Sequence, residues 1–352
     1  MSTTRSQAPG NLSEEFYQIS PQILASFPKF RPPLTLYFFN EKVKELYPYV
    51  YAGERLSKEQ QAEVADLCAD GKIFVARSDR PIYAEHISKQ LDLVLMDTDL
   101  KEGEIAEILG KGVRKSIESF FEQPVKPVLH KLETDLLVLT EYLWGDPYRI
   151  KALLRRLSQD ADLSARSWDM LLVGLGLYLE IQSEDRHRKV LDRLAVGLAT
   201  ANVGWAKVPN YIREKRRNLS PEEQKQVRQT PLAATRILQK LGYRDKIILQ
   251  CVEEHRECLD GSGYPRGLRG KDISWFGRMG GAAAAFADLI AIGSERGPEQ
   301  LIDTAEVLAQ NEDKFDPKAS RSLRTVLLHA FSGEASKEPP PDPSRPESGG
   351  GQ

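Results

Sequence analysis

The stretch Glu257-Cys258-Leu259-Asp260-Gly261-Ser262-Gly263-Tyr264-Pro265-Arg266-Gly267-Leu268, followed by Gly270-Lys271-Asp272-Ile273, interrupts a chain that reads as helix on both sides. Gly261 and Gly263 permit backbone angles that a side chain forbids, Asp260 is placed to hold an Asx turn, and Pro265 stiffens the exit. Two roles fit such a loop. It is a folding device for the surrounding helices, or it presents a rigid aromatic and basic surface, Tyr264, Pro265 and Arg266, to a partner.

Outward from this loop the pattern is helical. Upstream, Leu132, Leu136, Leu139 and Leu143 form one apolar stripe and Leu153, Leu154 and Leu157 another, with Gly145-Asp146-Pro147 breaking between them. Segments 171–179, 190–200, 221–241 and 246–259 continue the series. Downstream, a helix is expected over 276–292, where the run Ala282 to Ala285 suits close contact between helices. No fixed-period repeat is visible.

Toward the N-terminus the pattern changes. Strands are expected at 34–39, introduced by Pro32-Pro33, and at 72–76. Ser57 with Gln60 reads as a capping box opening a helix to Ala69, and Asp70-Gly71 as the turn after it. From Ile82 to Phe121 the spacing of residues such as Ile105, Ile108, Leu109 and Val113 predicts helix. The fold class is therefore mainly α: an all-α helical bundle preceded by a small α+β domain. The expected divisions are a polar, disordered lead-in (1–11), the α+β domain (12–125), a helical connector (126–160), the bundle (161–335) and a disordered tail of Pro, Ser, Gly and charge (336–352).

Lys and Arg number 49 against 51 Asp and Glu, a net charge of -2, so no global positive field favours nucleic acid or anionic lipid as a partner. The polar start, Met1 to Asn11, lacks the apolar core of a signal peptide, and no apolar stretch spans a bilayer. A cytoplasmic protein without membrane contact is expected. Cys68, Cys251 and Cys258 read as free thiols of a reducing compartment, the last two on a shared helix face.

The glycine loop closely resembles the Asp-Gly-x-Gly-Tyr-Pro-x-Gly-Leu loop of the HD-GYP branch of the HD superfamily, a bacterial family of cyclic di-GMP phosphodiesterases. Two flanking blocks carry the same resemblance. One runs from Val208-Pro209 through Asn218-Leu219-Ser220-Pro221-Glu222-Glu223 to Thr230-Pro231 and Arg236-Ile237-Leu238. The other is Arg278-Met279 leading the Ala-rich helix, with Phe315-Asp316-Pro317 beyond. The resemblance covers roughly residues 165 to 330 and implies an HD-type bundle. The front part resembles the accessory domain ahead of some degenerate members.

In that family, histidines and carboxylates hold two or three ions, usually iron or manganese, that activate water and absorb phosphate charge. The resemblance places those ligands on residues that cannot serve. The His-Asp pair falls on Ala201 and Asn202, and the Lys after it on Trp205. A later His falls on Thr230, the paired histidines on His255-Arg256, and the Asp of the Ala-rich helix on Ala284. The earliest ligand His belongs near Ser167 to Asp169, where none stands. Of the constellation only His255 survives, among five histidines in all (His86, His130, His187, His255 and His329). No catalytic residue, metal or other cofactor is therefore expected.

The expected function is that of a pseudoenzyme acting through protein contacts in a cyclic di-GMP-linked pathway. The resemblance suggests a diguanylate-cyclase-type domain as partner of the loop. The alternatives are a non-hydrolysing receptor for cyclic di-GMP or another nucleotide, and a residual metal-dependent phosphodiesterase. Nucleotide contacts would fall to Arg256, Arg266, Arg269, Arg278 and Arg296. Tight cyclic di-GMP binding is not favoured, because Gly293-Ser294-Glu295-Arg296 stands where the family carries a stretch like Arg-Pro-Tyr-Lys. Trp205 reads as packing that fills the former metal pocket. Glu253, Glu254, Glu257 and Asp260 read as helix-surface salt-bridging groups, and Arg213 to Arg217 as a solvated basic face.

Overall fold

The computed structural model describes residues 15–19, 21–28, 31–79, 82, 91–96, 100–158, 160, 162–215, 218–292 and 297–332. The expected lead-in and tail lie outside them.

The front unit is an antiparallel sheet of β1 (Phe16–Gln18), β2 (Leu36–Asn40), β3 (Glu45–Val50) and β4 (Ile73–Ala76), in the order β1-β4-β2-β3. Tyr17 and Leu36 both pair with Val75, and Leu36 also pairs with Val50. Helices α1 (Pro21–Ser26) and α2 (Lys58–Ala69) accompany it, contributing Ile23, Val64 and Cys68 to the core. The capping box at Ser57 and Gln60 is present, and Gly71 takes the positive φ, 74°, that the turn after α2 requires. Two strands escaped the sequence reading. β1 is three residues long, and β3 carries Pro48, which a strand tolerates only where its missing N–H costs no ladder bond. β3 is an edge strand, so Pro48 is admissible there.

Ile82, where helix is expected to begin, is helical, and the long helix of this region is α3 (Glu102–Glu122), where the Glu104 carboxylate accepts from the Lys101 N–H at 2.8 Å. Residues 83–90 lie outside the described set, and Leu91–Met96 forms a 3-10 turn. α3 packs on α4 (Lys126–Gly145), α5 (Ile150–Leu154) and α6 (Leu163–Ile181), and α4 in turn packs on α7 (Arg188–Thr200). α6 lies at the centre, buried from Ser167 to Leu179.

A 3-10 segment, Ala201–Lys207, then leads to α8 (Asn210–Glu214), α9 (Pro221–Arg228), α10 (Thr230–Lys240) and α11 (Lys246–Glu254). After the glycine loop come α12 (Trp275–Ile292), α13 (Pro298–Ala309) and α14 (Pro317–Phe331). Side-chain caps set several starts: Asp162 for α6, Ser220 with Glu223 for α9, Asp245 for α11 and Asp316 for α14. The single helix expected over 221–241 is two, because Pro231 has no N–H to continue the ladder through Gln229. The helix expected to reach Leu259 stops at Glu254. Cys258 therefore lies in the loop and shares no helix face with the buried Cys251.

Gly204 brings the 3-10 segment onto α10 so closely that a Cβ there would overlap the Thr230 carbonyl. One continuous apolar core runs from Tyr17 and Leu36 through α3 and α6 to α14. At the junction, Arg77, just past β4, pairs with Glu104 of α3 at 3.1 Å. Among the described residues no helix is long and apolar enough to cross a membrane.

Candidate functional site

Two of the positions that the resemblance assigns to metal ligands, Asn202 and Arg256, are joined inside the bundle by an ionic and hydrogen-bonded chain. Asn202, on the first turn after α7, donates through Nδ2 to Ser167 Oγ of α6 at 3.0 Å. Its Oδ1 lies 3.4 Å from Arg256 Nη2. Arg256 also donates through Nη1 to the Asp288 carboxylate of α12, and Arg166 Nη1 of α6 approaches the other Asp288 oxygen at 3.6 Å. Burial pushes the Asp288 carboxyl up, but Arg256 and Arg166 outweigh that and hold it below the usual carboxylate range. Burial likewise disfavours the Arg256 cation, and Asp288 more than offsets it. A carboxylate between two guanidinium groups thus occupies the floor.

His255 takes no part in this chain. It is buried, and its Nδ1 makes a 2.8 Å hydrogen bond with the Val252 carbonyl at the end of α11. Burial, then the adjacent Arg256 charge, push its pKa down to about 3, so the ring is neutral at ordinary pH. Thr230 donates to the Val227 carbonyl at 2.8 Å, closing the turn between α9 and α10. Ala201 and Ala284 are buried in apolar packing. Among the described residues, no group of three or more His, Cys, Asp and Glu converges as a metal ion would require.

Asp288 and Arg166 escaped the sequence reading. Asp288 had a usable signal: it and Arg278 are the charged residues in the otherwise apolar α12, and it lies one turn beyond Ala284 on the same face. Arg166 had none, since a charged residue in the first turn of a helix is unremarkable without its partner in view.

Above the floor opens a cavity of about 640 Å³. Arg166, Arg256, Asp288 and Tyr264 line one part of it, Trp205, Leu163, Ile212 and Ile292 another, and Arg213 and Lys215 also contribute. Trp205 is half-buried along this wall and does not fill the floor; the Arg256 guanidinium takes that volume. Arg213 contacts Asn210, and Lys215 pairs with Glu223 at 2.9 Å. The rest of the expected basic face, Arg216 and Arg217, lies outside the described residues.

The glycine loop is built from below by carboxylates, and for Glu254 and Glu257, which are buried, this corrects the surface role expected for them. Glu257 is buried and accepts from the N–H groups of Arg266 at 2.7 Å and Leu268 at 2.9 Å. Glu254, also buried, accepts from the Ser274 N–H at 2.7 Å and from Arg266 Nη2 at 3.1 Å, and Glu253 pairs with Arg266 Nε at 3.2 Å. The Asx turn at Asp260 is present, with Ser262 N–H donating to Oδ1 at 2.8 Å. Tyr264 donates its backbone N–H to the Arg256 carbonyl at 3.0 Å, and its peptide bond to Pro265 is cis. The Tyr264 ring faces the cavity, half-buried, with the Arg228 guanidinium 5.7 Å from its centroid.

Among the described arginines proposed from sequence for nucleotide contact, Arg256 alone lines the cavity. Arg266 is held by Glu253 and Glu254, Arg269 lies over Gly261, and Arg278 pairs with Asp316 at 3.3 Å. Arg296 lies outside the described residues.

Residues 149–319 match the HD domain family model. Over 130 residues the chain is 33% identical to the cyclic di-GMP phosphodiesterase PdeB of Borreliella burgdorferi, covering 37% of this chain and 33% of the relative. Over 125 residues it is 30% identical to the cyclic di-GMP phosphodiesterase PA4108 of Pseudomonas aeruginosa, covering 35% and 30%. The chain thus spans about a third of the length of the curated relatives it matches. Among solved structures it is similar to Bd1817, an HDG"Y"P protein from Bdellovibrio bacteriovorus, with TM-score 0.60 and 16% identity over 89% of this chain and 99% of that one. That likeness covers both the front unit and the bundle and shows the shared fold. With the helical bundle and the glycine loop, these matches show an HD domain at residues 149–319, similar to the HD-GYP type.

Proposed function

We propose that this chain is a regulatory HD-GYP-type protein that does not hydrolyse cyclic di-GMP and acts through protein contacts in a cyclic di-GMP-linked pathway. The observation that carries this reading is the Arg256–Asp288 ion pair at the bundle floor, tied to Asn202 and flanked by Arg166. A two-ion centre needs converging imidazole and carboxylate donors around open coordination positions. Here two guanidinium groups supply the positive charge, and the remaining imidazole is bonded to a carbonyl. The donor set does not fit the family's metals. An arginine offers charge to a phosphate but no ionisable water, so the nucleophile of the family's reaction has no source at this floor. Protein reconstituted anaerobically with ferrous iron or manganese should retain well below one ion per chain after desalting and leave cyclic di-GMP intact. Stoichiometric metal with steady linearisation would establish a residual phosphodiesterase instead.

A second reading is supported by the cavity. Trp205 and Tyr264 provide ring faces, and Arg166 and Arg256 a cationic floor, a combination suited to a nucleotide held without being cut. Calorimetric titration with cyclic di-GMP separates the readings. Saturable micromolar binding that Arg256→Met weakens at least tenfold supports the receptor, and no heat up to millimolar ligand supports action through protein contacts alone.

A further inference from the structure

A second cavity opens in the front unit and shares no described lining residue with the one above the Arg256 floor. It lies between α1 and α2 at the start of β2 and holds about 220 Å³. Its floor is apolar and buried: Phe27 is 3% exposed, Leu36 0%, Leu56 5% and Val64 2%. Buried apolar side chains ordinarily close on one another, because a void forfeits dispersion contacts. Here the walls are tied in place. Leu36 is paired within the sheet to both Val50 and Val75. The Phe27 N–H donates to the Leu24 carbonyl at 3.1 Å, and the Pro32 carbonyl accepts from the Gly53 N–H at 2.8 Å. The capping box at Ser57 and Gln60 fixes where α2 starts, and with it the place of Val64. Ala25 and Ala65, which line the cleft from the two helices, carry only a methyl group each and leave it open.

The lining restricts what can enter. Among the described residues no charged side chain lines the cleft, so an ion would lose its hydration there without compensation. A neutral molecule is required. Gln61 is the polar side chain of the described lining, and its Nε2 donates to the Leu56 carbonyl at 3.2 Å. That carbonyl needs a donor, so the amide nitrogen is committed to it. The amide oxygen is left as an acceptor that no described residue engages. Size narrows the class further. An apolar cavity of about 150 Å³ holds benzene, and the larger volume here, about 220 Å³, gives room for a second fused ring.

We propose that the cleft between α1 and α2 is a binding site for a small neutral heteroaromatic molecule, a fused bicycle with one N–H or O–H group that donates to Gln61. The probe is indole, titrated into the full chain carrying isotope-labelled Leu and Val methyl groups and followed by nuclear magnetic resonance. The methyl signals of Leu24, Leu36, Leu56 and Val64 should shift together and saturate with a dissociation constant below about 1 mM. Those of Leu153 and Leu172 in the bundle should stay in place. Benzofuran has the same shape and lacks the N–H, so it isolates the hydrogen bond. Gln61→Leu should move the ratio of indole to benzofuran affinity about fivefold toward benzofuran, the effect of one neutral hydrogen bond. The proposal is overturned by no saturation at millimolar indole, by shifts centred on other methyl groups, or by an affinity ratio that Gln61→Leu leaves unchanged.

Discussion

At Arg256, one side chain occupies the place that the resemblance gives to a metal-ligating histidine, and its consequences are measurable. Its guanidinium is 14% exposed, and it bonds Asp288 and Asn202 together. Removing one partner of such a pair strands the other, at 3–5 kcal/mol when both are fully buried. Asp288 is half-buried and keeps Arg166, so Arg256→Met should cost about 2 kcal/mol in urea unfolding. Arg256→Met with Asp288→Leu should cost less than the sum of the single changes, and strict additivity would remove the pair from the explanation of stability.

His255 makes a second residue-scale prediction. Its folded pKa of about 3 lies below the unfolded value near 6.5, so the unfolded chain takes up the proton first. The stability linked to this ring is complete above that unfolded value. It falls by up to about 1.4 kcal/mol per unit as pH drops toward 3. A His255→Gln variant should lose less stability than the native protein between pH 7 and 4.5, and identical slopes would contradict a buried neutral imidazole. At this scale the sequence, through the family resemblance, pointed to Asn202 and Arg256, and these two are bonded. It did not reveal what joins them, since an ion pair between Arg256 and Asp288 depends on two helices far apart in the chain.

The glycine loop is the element on which the bundle's second half turns. Its shape rests on buried carboxylates that accept backbone N–H groups, above all Glu257 under Arg266 and Leu268. Glu257→Gln sets an amide donor against one of those donors and weakens both bonds. A loss of about 2 kcal/mol is expected, with exchange of the Arg266 and Leu268 amides at least tenfold faster by mass spectrometry. Unchanged protection would show that the loop holds its shape by other means. Gly204→Ala tests the contact between the 3-10 segment and α10, where nothing flexible can give way. A drop in thermal midpoint of about 10 °C or failure to accumulate as folded protein is expected, consistent with a backbone overlap costing about 3 kcal/mol. The helices were legible in the sequence from their apolar spacing, and the α2 start from its capping box. Their breaks were less so. The interruption at Gln229 follows from Pro231, a residue that apolar spacing ignores, and the early end of α11 is set by the loop's own hydrogen bonds, which periodicity does not encode.

Across the whole molecule, a small sheet and a helical bundle share one apolar core, joined through α3 and the Arg77–Glu104 pair. The helical nature of the larger part was visible in its period. The sheet was half visible: β2 and β4 are apolar runs bounded by turn residues, whereas β1 is too short and β3 too polar and proline-interrupted to register. At the centre of this architecture lies the Arg256–Asp288 pair, and the proposed function depends on arginine standing there in place of metal-borne charge. Diffraction data collected at the manganese absorption edge, from crystals grown with excess manganese, test it most directly. The expected anomalous map is featureless between Ser167, Asn202, Arg256 and Asp288, with the Arg256–Asp288 pair intact. Two strong peaks a bridging distance apart at that place, with Arg256 displaced, would contradict it.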